Sequence, residues 1–202
     1  MAILTSESQT RRPATLLDLD NLPEDVMGEI IDGELYVHPR PDVPHARAAF
    51  NLGLTLGNPF YRGVDGPGGW VFLPEPRILF GEQTLCPDLA GWHQERFVEP
   101  PKGPVLVSPD WVCEILSRST ERHDRIRKLP IYARHEVRYA WLIDPVLRTL
   151  EVLRLEAGTW LIVGLHEKSD KIRAEPFEAI EIDLSQIWGV ASPDEEDGDE
   201  ES

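Results

Sequence analysis

The chain has 202 residues, a formal net charge of −16 and two cysteines. That length supplies one well-filled core and too little chain for two independent domains, and the charge excludes a surface that grips nucleic-acid phosphates all over, since such contacts need clustered Lys and Arg. Cys86 and Cys113 are far apart and in no CxxC spacing, which points to buried free thiols rather than a disulfide framework or a cysteine zinc site.

No apolar run approaches the length of a bilayer span, and MAILTSESQTRRP lacks the apolar centre of a signal peptide, so a cytoplasmic protein without membrane association is expected. Residues 1–12 read as a polar, disordered tail, 13–190 as one domain and 191–202 as an acidic, disordered tail. TLLDLDNLPED reads as a short helical or turn segment. EIIDGELYVHP alternates on both sides of Asp32-Gly33, a dipeptide suited to a tight hairpin turn, and predicts two antiparallel strands with Glu34 just past the turn. From Pro44, HARAAFNLGLTLGNPF has the pattern of a buried helix with His45 and Arg47 near its start.

WVFLPEPRILF carries Pro74 and Pro76, which a central strand tolerates poorly, and so reads as a bent or edge element. CPDLAGW and WVCEILS are the apolar, central strands, expected to be neighbours. Ser119 or Thr120, followed by acids, starts a helix running to about Arg134, with a kink or restart at Pro130. YAWLIDP is a strand, and TLEVLRLE and TWLIVGLHE form an antiparallel meander turning at Ala157-Gly158. The order is mixed α/β, with no internal repeat.

Glu114 is a charge inside an apolar strand, and Asp88 opens the strand expected beside it. Two acids within reach on one sheet face repel unless a proton or cation intervenes, and magnesium or manganese is the hard ion that carboxylates and phosphate oxygens share. Equally, Asp88 can cap a turn and Glu114 can pair with an arginine. Lys128, one of four lysines, can orient a water, stabilise negative charge or act as a base if desolvated, or it can be a solvated helix residue held by Asp124 as an i, i+4 pair. Arg118, Arg122, Arg125 and Arg127 offer phosphate contacts, or simply a solvated helix face.

The succession EIIDGELYVHPRPDVPHARAAFNLG, CPDLAGW, DWVCEILSRST, KLPIYARHEVRYAWLIDP and TLEVLRL, from about Glu29 to Trp188, resembles the Uma family of bacterial endonucleases. That resemblance implies a restriction endonuclease-like PD-(D/E)XK core with added antiparallel strands, a magnesium- or manganese-dependent endonuclease activity and DNA as substrate. It implies Asp88 and Glu114, with Ile115 through its carbonyl, as metal ligands. The catalytic lysine moves from the strand, where Leu116 stands, to Lys128 on the next helix. Glu34 and His45, with Asp124, are expected as auxiliary groups, and Arg118, Arg122 and Arg125 as phosphate contacts. The chain departs from the family pattern at SRST, where relatives often read SPST, and at Pro130. The alternative from another class is a non-catalytic module of the same fold, a homodimer in some settings, whose acidic surface engages a protein partner.

Overall fold

The computed structural model describes residues 12–99 and 102–189. Apart from Arg12, the tails expected over 1–12 and 191–202 lie outside the described residues. Arg12 is not loose: its guanidinium is 2.6 Å from Asp18, and the neighbouring Ala14 amide donates to the Gly33 carbonyl. A short helix, α1 (Leu16–Asp20), leads into the hairpin β1 (Val26–Ile31) and β2 (Glu34–Pro39). Asp32 and Gly33 both have positive φ, 52° and 77°, the conformation of a two-residue turn whose twist matches its strands. Helix α2 (Val43–Leu56) follows, with the Asp42 side chain accepting from the His45 amide and Pro44 in the first turn, where no donor is missed.

Six strands form the main sheet. Trp70–Pro74 is β3, and β4 (Ile78–Phe80) and β5 (Gln83–Leu85) form a hairpin beside it in the chain. Leu89–His93 is β6, Trp111–Ile115 is β7, Tyr139–Asp144 is β8, Thr149–Glu156 is β9 and Thr159–Glu167 is β10. Their order is β10-β9-β8-β7-β6-β3, with β7 and β8 parallel and the other pairs antiparallel. CPDLAGW and WVCEILS are thus central neighbours, and the proline-bearing Trp70–Pro74 segment is the edge, as their sequences require. The second sheet has the order β2-β1-β5-β4, and the first hairpin joins the β4–β5 hairpin through Ile30 and Thr84. Two strands of two residues, β11 (Lys171–Ile172) and β12 (Ile182–Asp183), and helix Ser185–Trp188 complete the described chain; none has a clear pattern in the sequence.

The main sheet is covered on both faces, which explains the nearly unbroken apolar run of β7. Trp111, Cys113 and Ile115 face one core with Trp141, Phe177 and α2 residues Leu52 and Leu56. Val112 and Leu116 face a second core with Tyr132, Leu142 and Phe80. Gly91 lies between Phe72 and Trp111, whose ring atoms are 2.9 and 3.2 Å from where a β-carbon would stand, so only glycine lets the two rings close over β6.

The segment joining β7 to β8 is not one regular helix. Helical turn α3 (Glu121–His123) runs into a π-helical turn, Asp124–Lys128, closed by the Leu129 amide on the Asp124 carbonyl, before α4 (Leu129–Arg134). Pro130 has no amide and crowds the carbonyl four residues back, and widening the preceding turn relieves that conflict. The expected cap differs: neither Ser119 nor Thr120 caps the helix, and Ser117 Oγ instead accepts from the Thr120 amide.

Candidate functional site

Antiparallel register pairs Leu89 with Cys113 and Ala90 with Val112. One step further, Asp88 stands opposite Glu114, and alternation puts both side chains on the face that carries Val112 and Leu116. The Ile115 amide donates to Asp88 Oδ2 at 2.6 Å, and His45 Nε2 is 2.8 Å from Asp88 Oδ1. Ile115 therefore meets Asp88 through its N–H. His45 comes from the first turn of α2, where the Asp42 cap fixes its backbone.

Glu114 is 2% exposed. Lys128 Nζ donates to its Oε2 at 2.7 Å and the Tyr132 hydroxyl to its Oε1 at 2.5 Å. Lys128 is itself buried, with Glu29 Oε1 at 3.2 Å, Asp124 Oδ1 at 3.4 Å and the Cys86 carbonyl at 3.4 Å. Glu29, on β1, takes the Cys86 amide at 2.8 Å and lies 2.8 Å from His123 Nε2. Three carboxylates therefore gather around one lysine, with Asp88 beside them. They line a cavity of about 160 Å³ that also touches His38 and His45.

Burial opposes the charge on Lys128, yet Glu114 and Glu29 outweigh it and hold its pKa well above the ordinary lysine value. Lys128 is an ammonium donor here and not a base. Burial also pushes Glu114 and Asp124 upward; Lys128 only partly offsets this, and neighbouring carboxylates add to it. Glu29 goes the other way: burial raises it, but Lys128, His123 and the Cys86 amide together bring it down to about 2. The Cys86 thiol is pushed up to about 12, mainly by burial, which removes it as a nucleophile. Tyr132 is held in its protonated, donating form by burial and by Glu114.

Asp88, Glu114, Lys128, Asp124 and His45 are thus brought together. Glu34 is not: it is exposed and accepts from the Tyr36 hydroxyl at 2.7 Å, while Glu29, five residues earlier on the buried end of the hairpin, takes the place expected for it. The arginines divide. Arg125 is held by Glu121 at 3.0 Å and forks onto Glu151, so its guanidinium is committed within the fold. Arg127 stacks over the Tyr36 ring at 4.7 Å, and Arg118 and Arg122 are exposed. Tyr132 and His123 were missed in the sequence, where Tyr132 offered one faint signal, its i+4 spacing from Lys128.

A family profile described as "Uma2: Putative restriction endonuclease" matches residues 13–185. The chain belongs to the Uma2 family. A crystal structure described as a "putative nuclease belonging to DUF820" from Anabaena variabilis superposes on this Uma2 protein with a TM-score of 0.69, at 22% identity, covering 87% of this chain and 98% of that one. That likeness establishes the shared fold, which is restriction endonuclease-like. No curated protein matches the sequence. No helix among the described residues is long and apolar enough to cross a membrane.

Proposed function

We propose that this Uma2 protein is a magnesium- or manganese-dependent endonuclease acting on DNA, with Asp88 and Glu114 as ion ligands and Lys128 as the catalytic ammonium. The observation that carries the reading is the convergence of Asp88 and Glu114 on adjacent strands with Lys128 2.7 Å from Glu114. The donor set fits a hard divalent cation. Glu29, Asp88, Glu114 and Asp124 supply oxygen donors that a divalent cation would hold in their ionised form, and each carboxylate oxygen that accepts one hydrogen bond keeps a lone pair for an ion. A bound ion would polarise the scissile phosphate and acidify its water.

The remaining chemistry belongs to side chains. His45 and the Ile115 amide fix both oxygens of Asp88, and Tyr132 and Lys128 fix both oxygens of Glu114, so neither carboxylate has to reorganise when substrate arrives. Lys128, locked in its charged form, donates to an attacking water or to phosphate oxygen as negative charge develops. Arg118 and Arg122, exposed beyond the end of β7, would contact the DNA backbone in this reading. The reading is tested by nicking of plasmid and single-stranded DNA with magnesium or manganese. Asp88→Ala and Glu114→Ala should each lower the rate on the order of 10²-fold or more, and chelation should abolish it. Activity unchanged in both variants sinks the assignment.

A further inference from the structure

Glu29 has a second neighbourhood, at Oε2, the oxygen that does not meet Lys128. His38 on β2 and His123 on α3 each bring a ring nitrogen to it, and one donor atom from each of Glu29, His38 and His123 lies within 4.8 Å of the other two. The two imidazoles meet edge to face, with centroids 4.7 Å apart. His38 Nε2 is buried with no hydrogen-bond partner. A buried ring nitrogen left without a partner is costly unless something occupies its lone pair, and all three residues line the same cavity as Asp88 and Glu114.

We propose that Glu29, His38 and His123 bind a transition-metal ion of the zinc class, at a site distinct in chemistry from the Asp88–Glu114 pair. Two imidazoles and one carboxylate suit zinc, cobalt or nickel, whereas an all-oxygen set suits magnesium. Three protein ligands leave a coordination position open, and all three residues border the cavity from which a fourth ligand would come. Glu29 Oε2 lies toward His123 and Oε1 toward Lys128 and the Cys86 amide. The ion therefore takes one oxygen while the other keeps its partners, as an orienting hydrogen bond on a ligating carboxylate should. The three ligands come from three separate elements, so the ion ties the hairpin to the helix that carries Lys128. The site stands whether or not the Asp88–Glu114 pair cleaves phosphodiesters.

The test is a cobalt titration of chelator-treated full-length protein, followed in the visible spectrum. One equivalent should bind with nitrogen and oxygen bands and no thiolate charge-transfer band, and a large excess of magnesium should not displace it. His38→Gln and His123→Gln should each weaken binding at least 10-fold, with Asp88→Asn leaving it unchanged. Because a buried histidine variant can fail to fold, the unmodified protein gives an independent reading: cobalt should produce hyperfine-shifted proton resonances from two imidazoles. Binding that survives both histidine substitutions, that Asp88→Asn removes, that carries a thiolate band, or that shows fewer than two shifted imidazoles overturns the proposal, as does no binding at all.

Discussion

The two faces of the main sheet bury comparable numbers of large side chains and do opposite things with them. On one face Phe177, fully buried, packs against Phe60, Trp70, Phe72, Trp111 and Trp141 with centroid separations of 4.8 to 5.7 Å. On the other, an apolar layer is interrupted by Glu114 and Lys128, each under 5% exposed. Aromatic packing stabilises without condition. A buried charge cluster stabilises only while every member is paired, and its desolvation cost can exceed its attraction. The first face supplies stability and the second holds its charges in a costly arrangement suited to chemistry.

The largest effect should come from Lys128→Met, which leaves Glu29, Glu114 and Asp124 without their shared cation. A loss of about 3–5 kcal/mol is expected in urea unfolding, with millimolar magnesium restoring part of it by supplying positive charge. Phe177→Ala should cost a similar amount, about 3–5 kcal/mol, but magnesium should restore none of it. If the cation rescues both variants, or neither, the contrast between the faces fails.

A smaller effect is set by pH. Glu29 is near 4.5 ordinarily and about 2 in the fold, so its pairing contributes stability above pH 4.5 that is lost as pH falls toward 2. The stability gap between the native protein and Glu29→Gln, about 1–3 kcal/mol at pH 6, should narrow by pH 3; a gap that stays constant would show that Glu29 is not held charged. The smallest change tests a place belonging to neither face. Ala157 has φ 47° in the turn between β9 and β10, and Ala157→Asn, which tolerates that conformation better, should add about 0.5–1 kcal/mol without touching metal response. A thermal melt decides it.

Much of the architecture was legible because it is local. Asp32-Gly33 and Ala157-Gly158 announce their turns, the prolines of WVFLPEP announce an edge, and the charge in WVCEILS announces Glu114 as a residue with a task. The site was legible less evenly. Spacing left Asp88 and Glu114 open to a structural reading, and only the family resemblance moved the lysine to position 128. Glu29 and Glu34 flank one hairpin, and which acid turns inward depends on how the hairpin lies against α3, a tertiary fact. Ile31 pairs with Glu34 across the turn, so both acids stand on one face of the hairpin, and alternation in the sequence does not separate them. His38 and His123 meet across 85 residues of chain, and nothing local joins them.

The widened turn at Asp124–Lys128 has a consequence for angular phase. Asp124, Lys128 and Tyr132 are spaced four and four, and in an ordinary helix residues eight apart drift about 80° around the axis. Such a drift spreads the three groups over an arc nearly as wide as a whole helix face. The wide turn slows the rotation, so that all three polar groups face the strand that carries Glu114. Pro130, which reads in the sequence as an oddity just after the lysine, sits directly beyond the turn that keeps these three groups in phase.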